Sequence, residues 1–467
     1  MKIVYIYPHY KVVPYNGIAE PLGVLYIIST LRNAGFKDVH FINMTFVDQF
    51  SEMDETLKNA DVIGVTCTSP SLHWHVKNAL DYAREVNPNA IFISGGSHST
   101  MSTEELLKLG FDYAFLGESE ISMVEFLNTL KDGKDPKNTR GLAYMNNGSY
   151  VINERAEMIS DLDSIPFPAR DLIDYDEYCD YGLTEYGMVT LRGCPYKCLY
   201  CQPTIKTLFG KLRKRSALNV VDEIEQLIKI RGQGIRIFFK DETIGLHGEK
   251  WFLEFRDLIK SRGLHFTWHC NTRVNAITEG MLEAMRDAGC ICISFGVESG
   301  SKKILDFYQK TINHDQTIKA FKLCHKYGIE PTANIMLGAP METMDDLEQT
   351  YQLIKKIKPD DIAVYFVTAV PGRYIYEYAI EHDLLEKEID WTEFDPARNR
   401  ELEHVNMKLL YVTLDDLKRY KRKILRYRSL RKMTSPQNVS RWLVDMVKDP
   451  GLAFKKAGKV VASLRSK

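Results

Sequence analysis

The stretch LRGCPYKCLYC at residues 191–201 places three cysteines, Cys194, Cys198 and Cys201, in a C-x3-C-x2-C spacing. Three thiolates on one tight loop can hold three irons of a [4Fe–4S] cube and leave the fourth iron without a protein ligand. An open metal position can bind a substrate or cofactor directly, as an open zinc site does. The spacing therefore predicts an iron–sulfur centre with one coordination position left for a ligand.

Two alternative interpretations of the triad are a zinc knot and a set of core cysteines. Zinc usually takes four ligands from paired short spacings, and this stretch has neither a second C-x2-C nor a histidine. The remaining cysteines are predicted to pack as small apolar side chains; they are Cys67, Cys179, Cys270, Cys290, Cys292 and Cys324.

The triad and its neighbours resemble the radical S-adenosylmethionine (radical SAM) superfamily. Tyr200 matches the aromatic residue that these enzymes usually carry before the third cysteine, near the adenine of SAM. The resemblance implies that the open iron chelates SAM through its amino and carboxylate groups. It also implies that an electron from the reduced cluster releases a 5′-deoxyadenosyl radical, so an electron donor such as flavodoxin or ferredoxin is expected.

Length and composition limit the class of protein. A chain of 467 residues is expected to form two or three domains, and 45% hydrophobic with 26% charged residues is typical of a soluble globular protein. The N-terminal apolar run is too short for a signal peptide or a membrane span. Nine cysteines without a disulfide-like framework favour a reducing, cytoplasmic location.

The first part of the chain, residues 1–135, alternates strand and helix patterns. Five such units predict an α/β fold with a doubly wound, Rossmann-like parallel sheet. Ligands bind such sheets at the carboxyl ends of the strands. The strands are predicted at Ile3–Tyr7, Val39–Ile42, Val62–Thr66, Ala90–Ser94 and Tyr113–Leu116.

The loops at these strand ends resemble those of the cobalamin-binding domain that precedes the barrel in one subgroup of radical SAM enzymes. Because the first turn lacks G-x-G-x-x-G, a dinucleotide is not favoured. The D-x-H-x-x-G signature is also absent, which implies cobalamin without a protein histidine on cobalt. The alternative is a flavodoxin-like domain that binds nothing or serves in docking. The candidate cobalamin contacts are Thr68, Ser69, Gly95, Gly96, His98, Gly117 and Glu118.

Residues 136–185 are predicted to be a linker that contains a short hairpin. From residue 186 to about 400 the strand–helix rhythm restarts, and six units fit the partial (βα)6 TIM-type barrel of the radical SAM superfamily. Functional residues of such barrels lie at the C-terminal strand ends. The strands are predicted at Met188–Leu191, Ile235–Lys240, Phe266–Cys270, Cys290–Val297, Thr332–Leu337 and Ile362–Thr368.

The resemblance assigns SAM contacts to the ends of these strands. Asp241 and Glu242 stand where the family has its G-G-E motif, and either carboxylate can accept from the SAM ammonium group. Arg273 is assigned to the SAM carboxylate. Each of these motifs alone is a weak indication of a SAM site. Their occurrence together in this order after the cysteine loop is a strong one. The ribose-side strand end contributes Glu298 and Ser299, and the adenine-side G-x-P-x-E turn contributes Gly338 and Glu342.

The C-terminal residues 401–467 are predicted to be a helical, basic extension. One interpretation is a solvated helix that covers the open side of the barrel. The other is a peripheral membrane surface, because basic amphipathic helices with residues such as Trp442, Leu452 and Phe454 bind anionic lipid. Nucleic acid is not favoured, because the sequence has no recognisable tRNA-binding module.

Together these features predict a cobalamin-dependent radical SAM enzyme that uses a [4Fe–4S] cluster, SAM and cobalamin. The resemblance implies that the enzyme modifies an unactivated carbon of a small-molecule or lipid substrate and that this modification is C-methylation. The alternatives are rearrangement, oxidation or cyclisation of a lipid or tetrapyrrole, and a non-enzymatic corrinoid-sensing protein. The SAM-like strand ends argue against the last of these.

Overall fold

The computed structural model describes residues 1–8, 18–201, 204–385 and 405–434. Its strands form two large sheets and one two-stranded ribbon. The first sheet contains β1 (Ile3–Tyr7), β2 (Val39–Asn43), β3 (Val62–Thr66), β4 (Ile91–Gly95), β5 (Tyr113–Phe115), β6 (Leu142–Asn146) and β7 (Ser149–Ile152).

The first five strands are parallel and follow the spatial order β2-β1-β3-β4-β5. The chain passes from β1 outward to β2 and then back to β3 on the other side of β1, so the order reverses between β1 and β3. This confirms the predicted doubly wound sheet and places its ligand-binding edge at the carboxyl ends of β1, β3 and β4.

The hairpin that the sequence assigned to the linker instead extends this first sheet. Strand β6 pairs antiparallel with β5, and β7 pairs with β6. Asn147 and Gly148 both have positive φ, 48° and 81°, as a tight hairpin turn requires. The hairpin covers the edge of β5, which would otherwise expose unpaired backbone groups.

Helices cover both faces of the first sheet because successive strand residues point to opposite sides. Val24 of α1 and Phe126 of α6 pack in one core, whereas Leu80 of α3 and Leu106 of α5 pack in another. The helices are α1 (Leu22–Asn33), α2 (Asp54–Leu57), α3 (His73–Val86), α4 (Ser97–Met101), α5 (Thr103–Lys108) and α6 (Glu120–Lys131).

The second sheet is a curved set of six parallel strands in the order β15-β14-β13-β12-β11-β8. Among the described residues β8 and β15 do not pair, so the predicted partial barrel is confirmed as open. The strands of this sheet are β8 (Tyr186–Met188), β11 (Arg236–Phe239), β12 (Thr267–Thr272), β13 (Cys290–Glu298), β14 (Glu330–Leu337) and β15 (Asp361–Phe366). The separate two-stranded ribbon consists of β9 (Leu191–Arg192) and β10 (Arg213–Lys214).

Several helices around this sheet begin at a residue whose side chain caps the first turn. Ser216 caps α9 by accepting from Asn219 N–H, and Thr343 with Asp346 forms a capping box on α14. The helices are α7 (Tyr175–Asp180), α8 (Thr204–Phe209), α9 (Ala217–Arg231), α10 (Glu249–Ser261), α11 (Glu279–Asp287), α12 (Lys302–Phe307), α13 (His314–Lys326), α14 (Met344–Ile357), α15 (Tyr374–Glu381) and α16 (Leu414–Thr434).

The basic helix α16 packs on the barrel. Its Leu417 and Ile424 are fully buried, and its Lys423 lies 2.6 Å from a carboxylate oxygen of Glu348 on α14. Part of its positive charge is therefore neutralised by the barrel. Trp442, Leu452 and Phe454 lie outside the described residues. Within the described part of the chain, no helix combines the length and apolar character needed to span a bilayer.

A buried ion network joins the two sheets. Arg170, in the segment between them, bonds to Glu20 just before α1 and lies 2.9 Å from Glu223 of α9. It also donates to the carbonyl of Gly187 in β8, at 2.7 Å. Because Arg170 and both carboxylates are almost completely buried, the network fixes the first sheet on the barrel.

Candidate functional site

The cysteine loop follows β9 and is held by backbone hydrogen bonds. Gly193 has a φ of +92°, and a Cβ there would lie 2.9 Å from the carbonyl oxygen of Lys211, so the turn into the loop requires glycine. Leu199 N–H donates to the Tyr308 carbonyl at 3.0 Å. Cys194 and Cys201 are partly exposed and Cys198 is buried, so the loop presents its thiols at the mouth of the barrel.

Arg273 at the end of β12 contacts this loop directly. Its guanidinium donates to Cys198 Sγ at 3.3 Å and lies 3.7 Å from the centre of the Tyr196 ring. Its other nitrogens donate to Asn275 and Thr311. The contact of Arg273 with the SAM carboxylate stays a prediction. In the structure one of its nitrogens donates to the cysteine loop and places a positive charge beside a thiol.

Two further cations lie near the third cysteine. Burial raises the pKa of the Cys201 thiol to about 11, whereas Arg373 and Lys310 act in the opposite direction. Positive charge close to thiols favours the thiolate, which is the form that binds metal. The surroundings of the loop therefore suit a group that needs three thiolates.

Tyr200, Glu298 and Lys310 form a compact buried cluster next to the loop. Tyr200 Oη donates to Glu298 Oε1 at 2.9 Å, and Lys310 Nζ lies 2.8 Å from the same oxygen. Glu298, the last residue of β13, has a φ of +62°. Such a backbone is strained for a residue other than glycine and is typically retained at functional sites.

The two acidic residues after β11 differ in their surroundings. Asp241 accepts from the backbone of Thr190 and Leu191 at 2.7 and 3.0 Å and from the Thr190 hydroxyl at 2.5 Å. Burial nevertheless raises its pKa to about 6. The carboxylate oxygens of Asp241 are therefore already hydrogen-bonded to Thr190 and Leu191, which lead into the cysteine loop. In this arrangement Asp241 positions the start of that loop.

Glu242, by contrast, faces a cavity. Among the described residues, its buried Oε2 has no hydrogen-bond partner, and burial raises its pKa to about 7. Burial raises the pKa of the Cys194 thiol, and the charge of Glu242 acts in the same direction. Of the two carboxylates, Glu242 is the one still able to accept from an ammonium group.

The remaining predicted SAM residues lie deeper in the barrel. Ser299 is fully buried, and its hydroxyl lies 3.0 Å from that of Thr350 on α14. Gly338 has a φ of +96°, and its N–H donates to Glu342 Oε2 at 2.6 Å. Burial raises the pKa of Glu342 to about 8. Glu342 also keeps a second buried oxygen, Oε1, that has no hydrogen-bond partner among the described residues. The contacts of Ser299 and Glu342 with SAM stay predictions.

A cavity of about 530 Å³ lies between the two sheets. The first sheet contributes the carboxyl ends of β1, β3 and β4, and the barrel contributes residues beside the cysteine loop. From the first unit the lining includes Tyr5, Tyr7, Leu22, Gly23, Thr66, Thr68, Gly95, Gly96, Ser97, Gly117 and Glu118; from the second it includes Val189, Leu191, Arg192, Leu208, Phe209, Lys240 and Glu242.

Five of the seven predicted cobalamin contacts line this cavity: Thr68, Gly95, Gly96, Gly117 and Glu118. Ser69 and His98 are not part of its lining. The His98 side chain is buried, and its ring centre lies 6.3 Å from that of His73 on α3. None of the described lining residues is a histidine.

The glycines of the cavity fit a large planar ligand. A Cβ at Gly95 would meet no protein atom within 4 Å, so a side chain there would occupy ligand space. Gly96 and Gly117 have φ of +109° and +72°, and a Cβ at Gly96 would lie 2.6 Å from the Cys67 carbonyl oxygen. The backbone can therefore lie directly against a ligand at this edge.

The sequence did not predict the ion pairs that lie beside the cavity. Arg213 of β10 holds Glu118 with two hydrogen bonds, at 2.8 and 2.5 Å, and Arg192 lies 2.7 Å from Glu120. Both arginines flank the cysteine loop, and both glutamates follow β5. The sequence indicated these ion pairs only through the arginine directly before Gly193, because the glutamate partners lie far away along the chain.

Comparison with known families gives two matches in sequence order. The model of the B12 binding domain matches residues 11–127, and that of the radical SAM superfamily matches residues 188–354. The first match covers the glycine-lined edge of the first sheet, and the second begins in β8 and contains the cysteine loop.

Two curated relatives are each 31% identical to this chain in the aligned part. The alignment with an uncharacterized methyltransferase of Pyrococcus horikoshii has 413 positions and covers 86% of each chain. The alignment with the anaerobic magnesium-protoporphyrin IX monomethyl ester cyclase of Rubrivivax gelatinosus has 380 positions and covers 77% of this chain and 66% of the cyclase.

Solved structures share the fold at lower identity. The cobalamin-dependent SAM radical enzyme OxsB with aqua-cobalamin and SAM bound aligns over 97% of this chain and 72% of its own, with a TM-score of 0.77 and 16% identity. The radical SAM methyltransferase TsrM of Kitasatospora setae with cobalamin and a [4Fe–4S] cluster aligns over 82% and 75%, with a TM-score of 0.71 and 17% identity.

Proposed function

The chain belongs to the family of radical SAM enzymes with a B12-binding domain, and on this premise we propose that it methylates an unactivated carbon of its substrate. Its cofactors are a [4Fe–4S] cluster, SAM and cobalamin. The observation that carries the proposal is the shared cavity, because Gly95 and Gly96 of the first sheet and Glu242 beside the cysteine loop face the same space. The two cofactor sites therefore open towards each other.

When bound, these cofactors supply reductive cleavage of SAM and a carrier for the methyl group. The protein supplies ligands and orientation. Cys194, Cys198 and Cys201 would hold the cluster, and Arg273 keeps the loop in place through Cys198. Glu242 would accept from the SAM ammonium group, since its Oε2 has no other partner among the described residues.

The glycine-lined edge would hold the face of the corrin ring. Gly95 and Gly96 allow close approach of the backbone, and Glu118, which Arg213 holds by two hydrogen bonds, lies beside them. The buried Arg170 network would keep the two halves of the cavity at a fixed spacing. A fixed spacing keeps the two cofactors oriented towards each other.

Methyl transfer is expected to leave a specific product. When SAM gives up its methyl group it becomes S-adenosylhomocysteine, whereas reductive cleavage gives 5′-deoxyadenosine. We expect the anaerobically reconstituted protein, incubated with SAM and a low-potential reductant that brings cobalamin to the Co(I) state, to form S-adenosylhomocysteine in an amount that follows its bound cobalamin, as measured by liquid chromatography and mass spectrometry. Protein reconstituted without cobalamin is the control.

The second candidate function is radical rearrangement, oxidation or cyclisation. The similarity to the cyclase favours this function, because the chain is 31% identical to the cyclase and 31% identical to the uncharacterized methyltransferase. Such chemistry needs no methyl donor. If S-adenosylhomocysteine is absent while 5′-deoxyadenosine forms, methylation is excluded and this second function stands.

Cobalamin is expected to bind without a histidine on cobalt. The described lining of the cavity contains no histidine, and His98 lies among the side chains of α3 and α5. The Co(II) form of cobinamide, which lacks the nucleotide base, should therefore show no nitrogen splitting by electron paramagnetic resonance. A nitrogen splitting that disappears in His98→Ala would show that His98 is the ligand.

The substrate is proposed to be a small molecule or lipid, with a flavodoxin or ferredoxin as electron donor. A membrane-surface contact stays a hypothesis for the basic C-terminal region, whose residues 435–467 lie outside the described part of the chain. This hypothesis requires that the protein binds anionic vesicles and that the binding weakens when the salt concentration rises from 0.1 to 1 M. The weakening is expected because the Debye length falls from about 10 to about 3 Å. Protein that stays in the supernatant at low salt would exclude it.

A further inference from the structure

Three potential metal ligands meet on the side of the first sheet that is covered by α3 and α5. His73 is the first residue of α3, His98 lies in α4, and Glu105 lies in α5. One ligand atom of each residue lies within 4.8 Å of those of the other two. Three separate elements thus bring two imidazoles and one carboxylate together, away from the cysteine loop and outside the cavity lining.

The donor set is that of a transition-metal site. Two histidines and one carboxylate bind zinc in one class of enzymes and iron(II) in another. The simpler interpretation is a histidine–glutamate hydrogen bond, but His73 Nδ1 lies 3.5 Å from Glu105 Oε1. This separation is too long for a good hydrogen bond. A small inward shift of three side chains would bring all three to ligand distance.

The burial of the three side chains also suits a cation. His98 is buried, and His73 and Glu105 are partly buried. Charged groups that are withdrawn from water are usually paired or bound to a metal, so a divalent cation would stabilise the charged carboxylate of Glu105 at this place.

We propose that His73, His98 and Glu105 bind one divalent transition metal. The metal would connect the N-terminal end of α3 to α4 and α5. Since α4 directly follows Gly95 and Gly96, it would fix the loop that forms one wall of the cavity. This site is independent of the proposed function, because its ligands belong neither to the cysteine loop nor to the cavity lining.

Zinc content of the holoenzyme tests this directly. The cluster should be intact, so that its thiolates are occupied by iron, and the protein should be equilibrated with zinc in a weak chelator and measured by mass spectrometry. We expect Glu105→Gln and His98→Gln to reduce zinc affinity by more than about 10-fold, because loss of a ligand should cost more than loss of its supporting contacts. His40→Ala is the control, because His40 is exposed and pairs with Asp38, away from the three proposed ligands.

The unfolding temperature gives a second readout. Zinc should raise it for the wild-type protein and the His40→Ala variant but not for Glu105→Gln, which keeps the size of the side chain. Zinc binding of equal affinity in Glu105→Gln and wild type would overturn the proposal. So would the absence of tightly bound zinc from the wild-type holoenzyme.

Discussion

Replacing Cys194, Cys198 and Cys201 together with alanine is expected to abolish the iron–sulfur cluster. The three thiols lie on one loop that is fixed by Gly193 and Arg273. A cluster held by three thiolates cannot be kept without them. Iron and acid-labile sulfide, measured after anaerobic reconstitution, should fall to near zero per chain.

Cys179→Ala is the matched control for this result. Cys179 is an exposed free cysteine outside the loop, so its loss should leave iron and sulfide unchanged. Near-normal iron in the triple variant would mean that other residues hold the metal, and the assignment of the loop would be wrong.

Replacing Arg170 with methionine is expected to destabilise the protein strongly. The change leaves Glu20 and Glu223 buried without their shared partner, and both carboxylates are completely inaccessible in the folded chain. Removing one member of a buried ionic network typically costs about 3–5 kcal/mol. The midpoint of urea unfolding, followed by circular dichroism, should fall accordingly.

The neighbouring surface pair provides the control. Arg32 lies 2.8 Å from Asp171; the Asp171 side chain is 65% exposed and that of Arg32 is 34% exposed. Exposed pairs contribute about 1 kcal/mol or less, so Arg32→Met should shift the midpoint little. Equal shifts for the two variants would contradict the assigned role of Arg170.

Most strand positions could be predicted well because they depend on local patterns. The first barrel strand was predicted wrongly at Met188–Leu191: it spans Tyr186–Met188, and Leu191 pairs in a separate ribbon with Lys214, a long-range contact. The apolar runs Ile3–Tyr7 and Val62–Thr66 begin and end in the structure as the sequence indicates. The cysteine loop could be recognised for the same reason, since its spacing lies within eleven residues. The hairpin was also recognised, but its place in the first sheet was not, because that depends on pairing with β5.

Side-chain partners over long distances could not be predicted. Nothing local distinguishes Asp241 from Glu242, yet Asp241 bonds to Thr190 and Leu191 and Glu242 faces the cavity. Likewise, the partners of Arg170 lie 150 and 53 residues away. Such contacts follow from the docking of the two sheets, which no single stretch of sequence encodes.

The central claim is that this chain cleaves SAM reductively at the cluster held by its cysteine loop. The most direct measurement is 5′-deoxyadenosine, quantified by mass spectrometry after the anaerobically reconstituted full-length protein is incubated with SAM and dithionite. We expect it to accumulate with the wild-type protein and to be absent from the triple cysteine variant. If a wild-type protein with a full cluster and bound SAM forms none, the account is contradicted.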